Sequence, residues 1–304
     1  MKTARSIAFG LVFALSANAL CWDDSGHRVV GEIAFRTLIA MHSPAVAKLQ
    51  TIFSSSGLPF KDLATAATVP DQIKRNSGNH SGFPSDPGHK YNAYHFLDKA
   101  IPAGAPLQDH HPGKNALVML NQCEQELQST NSIRQKAWDV AWIAHLVGDM
   151  HQPLHGATHV WAGLLTADHS DVGGNLYFLE PIPSQLDPWK TAHPAKSRHF
   201  FSELHAYWDG LVPGGTSAAG CQRVAARLMG VAPMSGIPQS KIQKVASNWL
   251  SESYAYAKAY AYTPTLHLYQ TPDQAYHDEA VKRAEQRVLL AGYRLAFVLD
   301  KWLR

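Results

Sequence analysis

Long segments with helical periodicity dominate this sequence and constrain its fold more than any other feature. In these segments apolar residues recur three and four positions apart, which is the spacing of one helix face. Candidate starts support two of them, because Ser25 and Ser43 precede apolar runs and Pro44 suits a first helical turn. The pattern predicts an all-α, or mainly α, protein with helices over residues 25–38, 43–53, 113–129, 132–150, 240–262 and 273–304.

Strand signal is scarce by comparison. The segment NLYFLE at residues 175–180 is the best strand candidate, and pairing with another short piece would make one short β-hairpin. Residues 76–93, 101–114 and 156–196 are rich in Gly, Pro and Asp and are predicted to be loops. Loops on a rigid scaffold usually carry the functional site.

The composition favours one large folded domain. Hydrophobic residues make up 45% of the 304 positions, which is enough for a sizeable core. The sequence has no long Ser/Gly linker, charge block or internal repeat that would mark a domain boundary. We therefore expect a single compact helical domain over residues 22–304.

The segment 1–21 has the pattern of a secretory signal peptide. Lys2 and Arg5 form a charged start, a short apolar segment follows, and small residues occupy the positions that determine cleavage after Cys21. The apolar segment is shorter than the roughly 20 residues of a membrane span, and no later segment is apolar enough to be one. We expect cleavage before Trp22 and a protein that is secreted or periplasmic.

The net charge argues against a protein that binds duplex nucleic acid non-specifically over a broad surface. The formal charge is +3 and falls to +1 when Lys2 and Arg5 leave with the signal peptide. Non-specific duplex binding needs a strongly basic surface instead. Two cysteines remain, Cys123 and Cys221, which could form one disulfide in an oxidising compartment or stay as two buried free thiols.

Histidine and aspartate recur at helical spacing in two segments. In HLVGDMHQPLH, residues 145–155, His145 and Asp149 lie four positions apart, and His205 and Asp209 repeat that spacing in HAYWD. Residues four apart share a helix face. One such pair is commonly a surface hydrogen bond, but two pairs, with His155 just past the end of the first helix, indicate a metal site.

Two further residues extend this candidate site. His95 is flanked by aromatic residues in YNAYHFLD, where a buried imidazole needs a partner, and Asp71 lies on a short helical segment. Imidazole and carboxylate without thiolate are typical of catalytic zinc. Carboxylates can also bridge two cations, an arrangement that suits phosphoester hydrolysis.

The predicted mature N-terminus adds another kind of ligand. Cleavage before Trp22 would give the start WDDSGH, in which the α-amino group and the Trp22 carbonyl oxygen could chelate a cation together with His27. An α-amino group loses its proton readily because its ordinary pKa is about 7.7–8.0. The alternative is a frayed terminus without function.

The order of these motifs resembles that of a known family. Trp22 and His27, Asp71, YHF at 94–96, HLVGDMHQPLH, DVGGN at 171–175 and HAYWD follow one another along the chain. This order is similar to that of the zinc-dependent nuclease and 3′-nucleotidase family of fungi, plants and bacteria. The resemblance covers nearly all of the predicted mature chain. Zinc-dependent phospholipase C is a more distant relative with a similar helical fold and three-zinc cluster.

The resemblance implies three Zn²⁺ ions as cofactors and assigns their ligands. The first zinc would be held by Asp71, His95, His145 and Asp149, the second by His155, His205 and Asp209, and the third by Trp22, His27 and Asp149. Trp22 would contribute its amino nitrogen and its carbonyl oxygen. Asp149 would bridge two of the ions.

The resemblance also implies substrate contacts. Phe96 would stack on a base, which is worth roughly 1–3 kcal/mol, while Asp98 would hydrogen-bond that base and Asn175 would line the nucleotide cleft. Asp71 and Lys74 would be catalytic, with Asp71 orienting the attacking water and Lys74 facing phosphate. The alternative roles are a core residue for Phe96, a helix cap for Asp98, a solvated charge for Lys74 and a turn former for Asn175.

The expected activity is hydrolysis of RNA and single-stranded DNA to 5′-mononucleotides, with 3′-nucleotides as further substrates. We expect single strands to be preferred because a base must leave the stack to reach Phe96. A hydrolase of the phospholipase C type would share every metal ligand, and a secreted zinc-binding protein without catalysis is a second alternative. We expect a monomer, and the sequence implies no stable protein partner.

The sequence departs from the family pattern at a few positions. Val69 stands two residues before Asp71, where relatives often have Trp. His151 is predicted to face away from the ion that its neighbours would bind, and so to support a ligand or lie on the surface. The histidines that match no ligand are predicted to be surface residues: His89, His110, His111, His159, His169, His193 and His199.

Overall fold

Helices form nearly all of the regular structure in the computed structural model, which describes residues 22–75, 91–109, 111–164, 166, 168–179, 203–215 and 217–304. They are α1 (Asp24–Ala40), α2 (Ala45–Ser55), α3 (Leu63–Ala66), α4 (Val69–Arg75), α5 (Ala116–Ser129), α6 (Ile133–Asp149), α7 (Leu204–Asp209), α8 (Ala218–Val231), α9 (Gln239–Ile242), α10 (Ala246–Tyr256) and α11 (Gln274–Trp302). Short 3-10 turns cover Asn92–His95, Pro153–His155 and Met234–Gly236, and a π-turn at Ala257–Ala261 extends α10. The predicted mainly α fold is confirmed. The predicted signal peptide, residues 1–21, lies outside the described residues.

Side-chain caps explain where the first helices begin. The Asp23 carboxylate accepts hydrogen bonds from the backbone N–H groups of Ser25 at 2.9 Å and Gly26 at 3.1 Å, so α1 begins after Asp23. Ser25, the predicted cap, lies inside the helix. At α2 the Ser43 hydroxyl does accept from the Ala45 N–H at 3.1 Å, as expected for a residue that supports a helix start.

α1 lies at the centre of the fold and packs against α11, α8 and α3. Glycines permit two of these close approaches. A Cβ on Gly31 would lie 2.7 Å from the Leu63 carbonyl oxygen of α3, and a Cβ on Gly292 of α11 would lie 2.5 Å from Ile33 Cβ. The tight crossing of α1 with α11 brings the N-terminal segment and the C-terminal helix together around α6.

The buried centre of the fold includes the end of α6 and the chain that follows it. Every residue from 139 to 158 is buried, a range that spans the HLVGDMHQPLH segment. α5, α11 and α2 all pack against α6. Charged and polar side chains in this range therefore lie away from water and need partners.

The described residues contain no β-hairpin, and their one pair of strands is parallel. The strands β1 (Ala100–Ile101) and β2 (Thr158–His159) pair in parallel, with Ala100 opposite Thr158. Parallel strands need a long crossover, which α5 and α6 provide, whereas a hairpin joins antiparallel neighbours. The described part of the NLYFLE segment, residues 175–179, forms an antiparallel bridge between Phe178 and Glu203, and residues 180–202 lie outside what the structure describes.

Some helices differ from the predicted segments, and the short α3 was not predicted. α8 lies outside all of them, although the Ser217 side chain caps it by accepting from Gly220 N–H at 3.1 Å. The predicted helix over 240–262 is divided between α9 and α10, where Lys244 reaches Glu252 with an Nζ–Oε1 distance of 2.8 Å. None of the described helices is both long and apolar enough to cross a membrane.

Candidate metal centre

The end of α6 places His145 and Asp149 on one buried face. His145 Nε2 lies 3.0 Å from Asp149 Oδ2, as the four-residue spacing predicted. Both side chains are fully buried. The pair is therefore not the surface hydrogen bond that was the alternative.

Two neighbouring elements bring His95 and Asp71 to this pair. The 3-10 turn Asn92–His95 places His95 Nδ1 at 2.9 Å from His145 Nε2 and at 3.1 Å from Asp149 Oδ2. From α4, Asp71 Oδ1 approaches His145 Nε2 at 3.8 Å and His95 Nδ1 at 3.9 Å. Asp71, His95 and His145 form a buried group whose ligand atoms all lie within 4.8 Å of one another.

α1 supplies a further histidine on the other side of Asp149. His27 Nε2 lies 3.4 Å from Asp149 Oδ1, and its ring stacks on that of His145 with 3.9 Å between centroids. His27, His145 and Asp149 form a second buried group with metal-ligand spacing. Asp149 thus directs one carboxylate oxygen toward each of two groups, as a bridging ligand would.

A third group combines the 3-10 turn after α6 with α7. His155 Nε2 lies 3.2 Å from His205 Nε2, and His205 Nε2 lies 3.6 Å from Asp209 Oδ2. These three residues are buried and lie within 4.8 Å through their ligand atoms. The structure therefore brings together every histidine and aspartate that the sequence proposed as a metal ligand.

Backbone carbonyls orient three of the imidazole rings. Each ring donates from Nδ1 to a carbonyl oxygen: His145 to Ala67 at 2.8 Å, His155 to His95 at 2.8 Å and His205 to Gly173 at 2.6 Å. In a neutral ring this leaves Nε2 without a hydrogen and available to a cation.

The donor set fits a cation because acceptors face acceptors. Two bare Nε2 atoms at 3.2 Å, as in His155 and His205, repel each other unless positive charge lies between them. Two nitrogens on one tetrahedral zinc, each at about 2.0–2.1 Å, would be separated by about 3.3–3.4 Å. The observed spacing is close to that value.

Buried polar atoms without hydrogen-bond partners support the same conclusion. Among the described residues, His27 Nδ1 and Nε2, Asp149 Oδ1 and Asp209 Oδ2 are buried and have no hydrogen-bond partner. Leaving such atoms unsatisfied costs free energy, and native proteins rarely do so. Bound cations would satisfy the ligand atoms among them.

The pKa values of the centre show how it responds when no cation is present. Burial raises the pKa of Asp209 well above its ordinary value; a hydrogen bond from Gln152 opposes that effect, and Asp71 and Asp149 add to it. Burial would also raise the pKa of Asp149, but His145 and His155 outweigh it and hold that pKa well below the ordinary range. Burial lowers the pKa of His145, yet Asp149 and Asp71 raise it overall. The centre therefore attracts positive charge, which protons or metal cations can supply.

Trp22 lies beside this centre. Its side chain is fully buried, and the indole Nε1 donates to the Gly148 carbonyl at 3.0 Å, next to Asp149. The following residue, Asp23, donates its backbone N–H to the Asp209 carbonyl at 3.3 Å. The main chain at Trp22 is thus anchored between two segments that carry predicted ligands.

Sequence reasoning missed Gln152, which supports a ligand directly. Its Nε2 donates to Asp209 Oδ1 at 2.8 Å, and its Oε1 accepts from the Leu154 N–H. The side chain is fully buried within the ligand run. Its position between two histidines was the available signal, because a buried amide there must hydrogen-bond to its neighbours.

The DVGGN turn has a role beyond the predicted one. Gly173 and Gly174 have φ values of 63° and 85°, and the Gly173 carbonyl accepts from His205 Nδ1. A Cβ on Gly173 would lie 2.9 Å from the Leu154 carbonyl oxygen, so glycine is needed for both space and conformation. The turn therefore orients a predicted metal ligand.

The predicted substrate residues lie around the same turn and the end of the His95 segment. Phe96 follows His95 and is partly exposed, so it is not a fully buried core residue. Asn175 is buried and donates from Nδ2 to the Val172 carbonyl at 2.7 Å, which fits its alternative as a turn former. The Lys74 side chain lies outside what the structure describes, although its backbone belongs to α4.

Asp98 has an acidic environment. Its Oδ1 is buried with no hydrogen-bond partner among the described residues. Burial, together with Asp171 and Asp168, raises the pKa of Asp98 to about 8. This shift favours the protonated form of Asp98, in which the carboxyl group can donate as well as accept a hydrogen bond. It does not cap a helix in the described structure.

The remaining histidine predictions have mixed outcomes. His151 is fully buried and lies outside the three groups, which excludes the surface alternative. His111 and His169 are exposed as predicted, but His159 is half-buried in β2, where Tyr262 and Trp161 pack against its ring. His89, His110, His193 and His199 lie outside the described residues.

The two cysteines do not form a disulfide. Cys123 on α5 and Cys221 on α8 are buried free thiols, and Cys221 Sγ donates to the Gly215 carbonyl at 3.2 Å. Of the two alternatives left open by the sequence, the disulfide is wrong.

A buried histidine and aspartate centre on a helical scaffold is the arrangement of a metal-dependent hydrolase. The family model of the S1/P1 nucleases matches residues 22–304. The chain therefore belongs to the S1/P1 nuclease family, and it is a hydrolase that acts on nucleic acids. No curated protein sequence matches the chain.

Proposed function

We propose that the chain is a zinc-dependent endonuclease and 3′-nucleotidase that cleaves RNA and single-stranded DNA to 5′-mononucleotides. The observation that carries this proposal is the buried cluster of imidazole nitrogens and carboxylate oxygens around Asp149. Imidazole and carboxylate without thiolate are the donor set of catalytic zinc. Membership of the S1/P1 nuclease family supports the nucleic-acid substrate.

Three zinc ions would be divided among the ligand groups. One would be held by Asp71, His95, His145 and Asp149, one by His155, His205 and Asp209, and one by Trp22, His27 and Asp149. The shared carboxylate of Asp149, with its two oxygens turned toward different groups, supports a bridged pair of ions. The anchored Trp22 supports the third.

Zinc ions bound here would activate a water molecule and neutralise the charge that develops on the phosphate. Asp71 would orient that water, because its carboxylate faces the imidazoles of His95 and His145 from α4. Lys74 lies three residues further along α4 and would face the phosphate. The carbonyl partners of the histidines would keep each ring fixed throughout the reaction.

Substrate choice would depend on the residues beside the centre. Phe96 would stack on a base that has left the helical stack, which favours single strands. Asp98 would hydrogen-bond the same base, and its raised pKa would let it act as a donor at neutral pH. Asn175 would line the nucleotide cleft from the DVGGN turn.

Maturation would complete the centre. We infer that residues 1–21 are a signal peptide, that the protein is secreted or periplasmic, and that cleavage before Trp22 exposes the amino group of the third site. The mature domain would be residues 22–304, acting as a monomer.

Parallel assays on RNA and on phosphatidylcholine vesicles test the substrate class. We expect release of 5′-mononucleotides from RNA and no release of phosphocholine, because Phe96 and Asp98 favour bases. Lipid cleavage without RNA cleavage would replace this function with that of a phospholipase C. Replacing His205 with Ala should abolish RNA cleavage, whereas the matched change His111→Ala, at an exposed histidine, should not alter it.

Chelation distinguishes the enzyme from a non-catalytic zinc-binding protein. We expect a chelator to remove RNA hydrolysis and added Zn²⁺ to restore it. A protein that binds zinc tightly but never cleaves RNA would instead be a carrier or scavenger.

A further inference from the structure

Behind the ligand run lies a second set of buried charged residues. Arg287 and Arg294 of α11 are almost completely buried, with exposed fractions of 1% and 0%. They converge on Glu252 of α10 and on His151, which follows α6. We call these four residues the arginine network.

Arg294 joins three parts of the chain through charge-assisted hydrogen bonds. Its Nη1 donates to His151 Nε2 and to Glu252 Oε2, both at 2.7 Å. Its Nη2 donates to Glu252 Oε1 at 3.0 Å and to the Lys241 carbonyl at 2.7 Å. A planar guanidinium can satisfy all of these acceptors at once, whereas an ammonium group cannot.

Arg287 holds the main chain of the ligand run. Its Nε donates to the His151 carbonyl at 3.0 Å, and its Nη1 donates to Glu252 Oε2 at 2.9 Å. Its Nη2 donates to Ser253 Oγ at 2.8 Å, and that hydroxyl in turn donates to the Met150 carbonyl at 2.6 Å. Two consecutive carbonyl groups, of residues 150 and 151, are thus fixed from α10 and α11.

These two carbonyls lie between ligands of different groups. Asp149 immediately precedes them and His155 follows shortly after, so a shift of this segment would change the distance between the groups. His151 cannot itself bind a metal in this arrangement, because its Nδ1 donates to the Val147 carbonyl at 2.6 Å and its Nε2 accepts from Arg294. Its imidazole instead links α6 to α11.

We propose that Arg294 and Arg287 are positioning residues of the metal centre, which set the spacing between Asp149 and His155 by holding the Met150–His151 backbone. The inference rests on the proposed function in taking Asp149 and His155 as metal ligands. The hydrogen bonds of Arg287 and Arg294 reach the Met150–His151 main chain and no proposed ligand side chain, so their effect would pass through the main chain. It adds to the support from Gln152 and the three backbone carbonyls.

The alternative is a network that only stabilises the fold. A purely stabilising network would lower the melting temperature when disturbed, but the folded variant would bind metal as the wild type does. A positioning network would change metal affinity and ligand geometry at temperatures where the variant is fully folded.

The experiment compares Arg294→Lys and Ser253→Ala with Arg227→Lys. Arg227 is a matched control, because its guanidinium forms a bidentate pair with Glu285 between α8 and α11 but does not contact the ligand run. Metal dissociation constants are measured by chelator competition, ligand geometry by the visible absorption of the Co²⁺-substituted protein, and folding by circular dichroism. Ser253→Ala is the milder variant and is informative if Arg294→Lys does not fold.

We expect Arg294→Lys to weaken metal binding by about tenfold, the lower end of the loss seen when residues that orient ligands are changed. Its Co²⁺ spectrum should shift, Ser253→Ala should show a smaller change of the same kind, and Arg227→Lys should show neither. A lower melting temperature with unchanged affinity and spectrum in Arg294→Lys would overturn the proposal, as would unchanged metal binding in Ser253→Ala if the first variant is unfolded. Wild-type protein that binds metal but does not cleave RNA would instead contradict the proposed function alone.

Discussion

The metal centre and the arginine network are two buried polar clusters on either side of the segment 149–155. They differ in how their charges are balanced. In the metal centre, acceptor atoms face one another, as His155 Nε2 faces His205 Nε2 at 3.2 Å. In the arginine network, two guanidinium groups meet a carboxylate and a neutral imidazole at hydrogen-bond distance. The first cluster lacks positive charge, whereas the second contains it.

The difference shows what each cluster needs from outside the chain. A buried polar network is stable when every donor and acceptor is matched, and costly when some are not. The arginine network meets this condition with groups of the chain itself: its own side chains, Ser253 and the backbone carbonyls of Lys241 and His151. The metal centre would meet it with bound cations, which would complete the structure of the site as well as its chemistry.

Asp149→Asn should have the largest effect, because it removes the carboxylate shared by two groups. We expect RNA hydrolysis to fall by on the order of 10³-fold or more, comparable to losing a preorganised charge-stabilising group. Metal content should fall with it. Asp139→Asn is the matched control, since Asp139 is a buried carboxylate on the same helix outside the three groups. Equal activity in the two variants would show that Asp149 is not an essential residue of the centre.

Glu252→Gln should have the largest effect on stability, because it leaves two buried guanidinium groups without their carboxylate. Breaking a buried ion pair costs about 3–5 kcal/mol, which denaturant unfolding can measure. The control Glu285→Gln breaks a more exposed pair and should cost about 1 kcal/mol or less. Equal losses of unfolding free energy in the two variants would show that the arginine network stabilises the fold no more than a surface ion pair does.

The same carboxylate predicts a pH dependence. Burial raises the pKa of Glu252, but Arg294, Lys244 and Arg287 outweigh it and hold that pKa at about 2. A depressed pKa gives stability that is present above the ordinary value of about 4.3 and is lost as pH falls toward 2. The stability difference between wild type and Glu252→Gln should therefore shrink over that range, and a constant difference would contradict it.

One extra residue before Trp22 should have an intermediate effect. The third group would lose its amino ligand, so zinc content should fall from three toward two per chain. Hydrolysis should slow by roughly 10–100-fold, the range for a weakened metal site. Protein that begins at Trp22 is the control, and metal analysis of both forms is the measurement. An unchanged metal count would show that the terminus is not a ligand.

Asp139→Asn should have the smallest effect on stability. Asp139 is a buried carboxylate outside both the metal centre and the arginine network, so it can be compared with each of them. Asp139 Oδ1 accepts from Gln135 at 2.8 Å, but Oδ2 has no hydrogen-bond partner among the described residues. Burial raises the pKa of Asp139 to about 7, with Glu126 adding to the shift and Gln135 opposing it. A raised pKa gives stability that is present below the ordinary value and is lost as pH rises through 7.

In Asp139→Asn the side chain cannot ionise, so this variant does not lose stability as the pH rises through 7. It should therefore gain about 1 kcal/mol relative to wild type between pH 5 and pH 8, a modest part of what a shift of this size could give. Melting temperatures at the two pH values measure the gain. A variant that is equally destabilised at both would show that the carboxyl is well satisfied by its neighbours.

The residues of the three buried groups could be picked out from the sequence because their chemistry is unusual for their position. His145 and Asp149 are polar residues on a helix that is otherwise apolar over its last turns, and the same spacing recurs at His205 and Asp209. The long helices α6 and α11 were predictable from the same periodicity. Helical periodicity and the four-residue spacing of His and Asp involve residues that are close in sequence, so both can be recognised from the sequence alone.

The supporting contacts were not predictable because they join distant segments. Arg294 meets His151 across 143 positions, and β1 pairs with β2 across α5 and α6. Each strand has only two residues, which is too short for an alternating pattern to be visible. Gln152 and Gly173 likewise gain their roles only when α7 folds against them.

We expect the buried centre around Asp149 to be complete only with bound cations. Metal analysis of protein that begins at Trp22, carried out together with an RNA hydrolysis assay before and after chelation, tests it most directly. We expect three zinc ions per chain, with activity that disappears when they are removed and returns when they are restored. Full hydrolysis by metal-free protein would contradict it.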